Sequence, residues 1–173
     1  RLDDMIGVFK ELTEVDEVYA YIRRGESQTL EFKETLSLDV AKQTKEKYIE
    51  ISALKTIVAF LNTVGGALLI GVSDDGDILG IDAEMDKLHK GILDKFLLNL
   101  KNLIKSRIGE QFYPYINYTI VNISSKKVLK IICVESDTPC YYENKDFYVR
   151  TNPATDKLEG PKLVEYVQHH FNQ

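Results

Sequence analysis

A chain of 173 residues with 44% hydrophobic and 28% charged residues has the makings of one globular domain, alone or with a helical extension. Its net charge of −5 excludes a protein that coats nucleic acid by bulk charge, while leaving room for a local basic patch. No apolar run approaches the roughly 20 residues of a membrane span and no secretory signal is visible, so the expected compartment is the cytoplasm, with no membrane partner.

In chain order, residues 2–24 read as two short helices. Met5, Val8, Phe9 and Leu12 form one stripe, Thr13 with Asp16 resembles a capping box, and Val18, Tyr19 and Ile22 form the next stripe. Arg23, Arg24 and Gly25 suit a helix C-terminus, so residues 1–24 are taken as an N-terminal extension and residues 25–173 as the domain proper. The start at Arg1 rather than Met suggests a piece of a longer parent chain with further domains. Thr29 to Lys33 alternates as a strand, Leu30 and Phe32 inward and Glu31 and Lys33 on the other face. Residues 34–44 read as a polar, mobile connection.

The long helix that follows, from about Lys45, carries Ile51, Leu54, Val58 and Leu61 at three- and four-residue spacing and would extend nearly 30 Å at about 1.5 Å per residue. Asn62, Gly65 and Gly66 end it. Ala67 to Val72 is apolar on both faces, a strand covered above and below, with Asp74 and Asp75 where it reaches water. Ile78 to Ile81 reads as a short hairpin partner. Met85, Leu88, Ile92, Phe96, Leu100 and Leu103 mark a second long helix ending near Gly109. Two strands flank the Ser124-Ser125-Lys126 turn, and Phe147 to Arg150 is a last strand with Tyr148 and Arg150 facing outward. Pro161 opens a final helix that buries Leu163, Val164, Val167 and Phe171. The sum is an α+β fold, a mixed β-sheet packed against two long helices.

Cys133 and Cys140 lack zinc-site spacing and read as reduced thiols. His89, His169 and His170 pair with no cysteine or serine in a recognisable order, which argues against nucleophilic catalysis. Gly65-Gly66 precedes a strand instead of opening a helix, so no nucleotide cofactor is expected.

Four pieces stand in a telling order: Glu26-Ser27-Gln28-Thr29-Leu30-Glu31-Phe32-Lys33, Ala59-Phe60-Leu61-Asn62-Thr63-Val64-Gly65-Gly66, Ile70-Gly71-Val72-Ser73-Asp74-Asp75-Gly76, and Phe147-Tyr148-Val149-Arg150 followed by Thr155. Together they resemble the Schlafen/AlbA-type domain, the bacterial family of DNA-binding type, from about Gly25 to Phe171. The resemblance implies an α+β Schlafen-like lobe that handles DNA or RNA inside a larger regulatory or defence-type protein. It also implies a candidate catalytic and metal site. Animal relatives include metal-dependent RNA endonucleases whose three carboxylates match Glu26, Glu31 and Asp74. Ser73 stands where relatives often have an acid, and a two-lobed groove like theirs would need a homodimer of this single lobe.

Three carboxylates of this kind can hold Mg²⁺ or Mn²⁺, whose oxygen preference they satisfy. Five residues separate Glu26 from Glu31, so the two converge only with Glu26 on a turn before the strand. The structural alternative has Glu26 orienting a loop, Glu31 pairing with Lys33 or an arginine, and Asp74 shaping a turn. Lys33, Tyr148 and Arg150 are the candidate nucleic-acid contacts, for phosphate and base stacking, with Lys42, Lys45 and Lys47 as a further mobile phosphate contact. Three functions follow: a nucleic-acid-binding domain, a metal-dependent endoribonuclease, and a protein-interaction or oligomerisation module.

Overall fold

The computed structural model describes residues 1–171. Helix α1 (Leu2–Arg24) leads to β1 (Leu30–Lys33), a small β2–β3 hairpin (Leu38–Asp39 and Thr44–Lys45), α2 (Lys47–Leu61) and β4 (Gly66–Ile70). Then come α3 (Asp82–His89), α4 (Leu93–Arg107), a 3₁₀ segment (Glu110–Tyr115), the β5–β6 hairpin (Ile116–Ile123 and Lys126–Cys133), the β7–β8 hairpin (Phe147–Thr151 and Ala154–Leu158) and α5 (Gly160–Phe171). The fold is α+β. Among the described residues no helix is long and apolar enough to cross a membrane.

The main sheet has the order β1-β4-β6-β5, with β1 and β4 parallel and the other pairs antiparallel. Alternation along each strand divides its side chains between two apolar layers. Leu68 and Ile70 of β4, with Leu129 and Ile131 of β6, face α2, α3 and α4. Ala67, Leu69 and Val128 face the other way, with Leu30, Phe32 and Val18 of α1. Strand β4 is therefore covered on both sides, as its continuous apolar sequence requires.

Close approach at the end of α2 makes its two glycines necessary. A methyl group on Gly66 would stand 2.6 Å from the Phe60 ring and 2.8 Å from the Thr29 carbonyl, and one on Gly65 would stand 2.6 Å from the Cys133 carbonyl. Between them the helix end is tied to the rest of the chain by Asn62, which is fully buried. Its side-chain amide donates to the Cys140 and Tyr148 carbonyls (2.8 and 3.0 Å) and its side-chain oxygen accepts from the Cys140 N–H (2.8 Å). Burial pushes the Cys140 thiol up to about 12 and lifts that of Cys133 as well; both are free and inert.

Several elements depart from the sequence expectations. Residues 2–24 form one helix, because Thr13 does not cap a new one but returns its hydroxyl to the Phe9 carbonyl, 2.8 Å away, inside the first. The C-terminal half of α1 is part of the domain's packing through Val15, Val18 and Ile22, while Glu17 meets Lys130 of β6 at 3.3 Å. Residues 34–44 include buried Leu36, Ser37 and Leu38 and a hairpin, in place of a mobile connection. Helix α2 starts at Lys47 and, at 15 residues, is about 22 Å long, shorter than expected. The second long helix is two, divided where Lys90 and Gly91 turn left-handed (φ 54° and 70°). Ile78–Ile81 makes a single bridge, Val72 to Ile78, and no strand. None of α5 is fully buried and Val164 is exposed; the helix docks through Tyr166, whose hydroxyl donates to the Asn62 carbonyl and whose ring meets Phe147 edge-on at 5.8 Å.

Replacing Asn62 with alanine would strand three buried backbone groups. Asn62→Ala is expected to lower stability by about 2–4 kcal/mol, read as a lowered urea midpoint at unchanged slope.

Candidate nucleic-acid interface

Strand β1 is an edge strand, and its parallel register with β4 carries the site. Lys33 lies beside Ile70, and its carbonyl accepts the N–H groups of Gly71 and Val72 (2.8 and 3.2 Å). The β4 tip is thereby held next to the end of β1. A tight turn follows, in which the Ser73 N–H donates to the Asp77 carbonyl, the Gly76 N–H to the Ser73 carbonyl and the Asp77 N–H to the Ser73 hydroxyl (2.9, 2.9 and 3.0 Å). This turn leaves the Asp74 and Asp75 carboxylates exposed. Ser73, where an acid is common in the resembling family, is thus a turn-former in this chain.

Glu26 sits on the turn before β1, where convergence with Glu31 required it. The turn folds back as the Ser27 N–H donates to the Leu30 carbonyl at 2.9 Å, and Glu26 Oε1 accepts the Phe32 N–H at 3.0 Å. Partial burial raises the Glu26 pKa; the Phe32 hydrogen bond opposes that, the negative charges of Glu31 and Asp74 add to it, and Lys33 lowers it. Glu31, Asp74 and Lys33 are therefore all near enough to act on Glu26.

Glu31 is placed between two cations, with Oε1 3.4 Å from Lys33 Nζ and Oε2 3.3 Å from Arg150 Nη2. The outward orientation expected of Arg150 is wrong: the residue is 3% exposed. Its guanidinium donates to the carbonyls of Gln28 and Ser27 (3.1 and 2.6 Å) and to the Thr155 hydroxyl (3.0 Å), and lies 5.0 Å from the Phe60 ring centroid. The reason is that the outer face of β7 is covered by the turn before β1. Tyr148 is half-buried against the main core, which raises its phenol pKa, and is not a free stacking platform. Lys33 keeps partial exposure and lines a half-open cavity of about 570 Å³ between the end of β1, residues 34–41 and the first turns of α2, with Asp74 at its margin.

A divalent ion, which the resembling family's nucleases use, does not fit these residues as placed. Both oxygens of Glu31 face cations and one oxygen of Glu26 is taken by a backbone N–H. Among the described residues no three carboxylate, imidazole or thiol groups are disposed to hold a metal ion. The three acids instead do what the structural alternative assigned them: orient a loop, pair with cations and occupy a turn.

Two buried acids escaped the sequence reading. Glu84 of α3 accepts the N–H groups of Leu36, Ser37 and Leu38 at 2.9, 2.6 and 3.2 Å, and so shapes the strap that walls the cavity. Burial raises its pKa against those three hydrogen bonds. Glu50 of α2 holds the Ser37 hydroxyl and Arg107 at 2.7 and 2.8 Å. The available signal was an acid within an amphipathic helix, but the partners of Glu84 lie 46 to 48 residues away in sequence and those of Glu50 lie 13 and 57 away.

A protein-family model described as Schlafen, AlbA_2 matches residues 26–159, more than half of the chain. The chain belongs to the Schlafen/AlbA_2 family. The matched span takes in Glu26, the Asn62–Gly66 helix exit, Asp74, Arg150 and Thr155, and marks a nucleic-acid-related domain. No curated protein is a significant match. Among solved structures, the DIP2311 protein from Corynebacterium diphtheriae has a TM-score of 0.55 at 19% identity, covering 83% of this chain and 27% of its own, a likeness of fold. The present chain thus spans about a quarter of that protein's length.

Because both oxygens of Glu31 and one of Glu26 are already engaged, adding about 1 mM Mn²⁺ is expected to leave the melting temperature unchanged within about 1 °C. A rise of several degrees that Asp74→Ala abolishes would show that the carboxylates rearrange into a cation site.

Proposed function

We propose that this Schlafen/AlbA_2 domain binds nucleic acid, DNA or RNA, at the Lys33 end of its sheet, as one part of a larger regulatory or defence-type protein. The observation that carries this reading is the placement of Lys33: an incompletely paired, part-exposed cation at the end of an edge strand, beside an open cavity. The β2–β3 hairpin, whose residues 38–41 line the same cavity, also carries exposed Lys42 and Lys45. With a net charge of −5, attraction is local rather than spread over the surface. Arg150 supports the interface from below by fixing the turn that bears Glu26. The endoribonuclease reading would require Glu31 to leave Lys33 and Arg150.

Few phosphates are neutralised by such a patch, so the salt dependence is expected to be shallow, about 1–2 log units of affinity per log unit of salt. Fluorescence polarisation with labelled single- and double-stranded DNA and RNA measures it, and Lys33→Ala together with Lys42→Ala should weaken binding about tenfold or more. Absence of binding to every polymer at low salt would overturn the proposal.

One observation favours a second reading, self-association. Leu2, Met5, Phe9 and Leu12 of α1 follow one another at three, four and three residues, the seam of a two-stranded helix pair, and are 57–70% exposed. With Ile6 and Val8 they present several hundred Å² of apolar surface, approaching the roughly 800 Å² that each partner of a stable complex contributes. A second copy offering the same seam is the occupant. Light scattering should show a dimer that Phe9→Glu converts to a monomer; a monomer in the wild type would dismiss the pairing.

A further inference from the structure

The cavity beside Lys33 has a lining more specific than phosphate binding demands. Leu38, Val40, Ala41 and Ile49 supply apolar walls from the strap and from α2. Lys33 is the cation of the lining, at the end of β1. The acids are in excess. Asp39 is already committed, accepting from the Tyr48 hydroxyl and from the Lys42 N–H (2.9 Å for the latter). Glu34 and Asp74 are not: both are exposed, and among the described residues neither carboxylate accepts a hydrogen bond or joins an ion pair. The volume of about 570 Å³ falls inside the roughly 300–1,000 Å³ of small-ligand sites, and the cavity opens to solvent on one side.

Apolar walls, one cation and two unengaged carboxylates sort the parts of a nucleotide. A phosphate is repelled from an interior edged by Glu34 and Asp74 and is attracted to Lys33. A flat, weakly hydrated ring suits the walls between the strap and α2, leaving its sugar and phosphate outside. An ionised carboxylate only accepts hydrogen bonds, so the ring edge that reaches Glu34 or Asp74 must carry N–H donors. Cytosine, adenine and guanine each offer an exocyclic amino group, whereas thymine and uracil offer a single ring N–H flanked by carbonyl oxygens that face like charge.

We propose that the cavity walled by Leu38, Val40, Ala41 and Ile49 takes one unstacked, amino-bearing base of a single strand, with its phosphate on Lys33 and its amino group on Glu34 or Asp74. This rests on the nucleic-acid reading above and adds to it a strand state and a base preference. A duplex holds its bases in the stack and cannot fill the cavity without extruding one. The buried grip of Glu84 on the N–H groups of Leu36, Ser37 and Leu38 keeps the strap in place, so the cavity exists before a ligand arrives.

The test compares labelled oligo-dC and oligo-dT of equal length at pH 7.5 and low salt, by fluorescence polarisation. Wild type should bind oligo-dC about tenfold more tightly than oligo-dT. Ala41→Trp, at an exposed strap position, should fill the cavity and bring oligo-dC down to the oligo-dT level, with an unchanged melting temperature confirming its fold. The double variant Glu34→Gln, Asp74→Asn carries amides that donate as well as accept; it should shrink the preference without relying on the tryptophan variant. Equal affinity of wild type for the two oligonucleotides, or a preference untouched by both variants, would overturn the base site while leaving phosphate binding at Lys33 intact. Wild type that binds neither oligonucleotide would instead overturn the nucleic-acid reading itself.

Discussion

A buried guanidinium organises this end of the molecule. An arginine side chain removed from water must find acceptors and a countercharge, or its burial costs several kcal/mol. Arg150 finds them in four separate pieces of chain: the Ser27 and Gln28 carbonyls before β1, Glu31 within it, Thr155 on β8 and the ring of Phe60 on α2. Its planar fork suits this divergent set of acceptors better than a lysine's point charge would. Once that tie is made, the turn before β1 has one place to go, and Glu26 is brought back over the strand edge to meet the Phe32 N–H.

The same logic repeats around the cavity. Buried polar side chains, each serving main-chain groups distant in sequence, hold irregular segments where hydrogen-bonded ladders cannot. Glu84 holds the strap at residues 36–38, Glu50 steadies it through Ser37, and Asn62 joins the exit of α2 to the Cys140 segment and to β7. The contrast with Lys33 is what separates scaffold from surface. Arg150, Glu84 and Asn62 are buried with their hydrogen-bonding capacity used, whereas Lys33 shares one moderately distant carboxylate and retains exposure. In a chain of net charge −5, the electrostatic character of this end depends on where a few groups are left unpaired, not on the overall balance.

The sequence by itself determined the regular parts, because their cause is local. The spacing of Ile51, Leu54, Val58 and Leu61, the Asn62 to Gly66 helix exit, the apolar run of β4 and the alternation in β1 each follow from one segment meeting one apolar layer. The turn at Ser124-Ser125 between β5 and β6 was legible for the same reason. The family motifs likewise named groups that lie near one another in the fold, since Glu31, Lys33 and Asp74 all act on Glu26.

Tertiary structure alone decided what those groups do. Alternation could set Arg150 opposite Val149 on β7, but not reveal that the turn at Ser27 and Gln28 covers that face and draws the guanidinium inward. Nor could composition distinguish a polar strap from a mobile one, since the acid that orders residues 36–38 lies on α3, beyond β4. Periodicity carried across Lys90 and Gly91, where two left-handed residues break the helix that the apolar pattern continues through. Each of these depends on pairing between groups far apart in sequence, a property of how the layers meet that no single stretch of residues encodes.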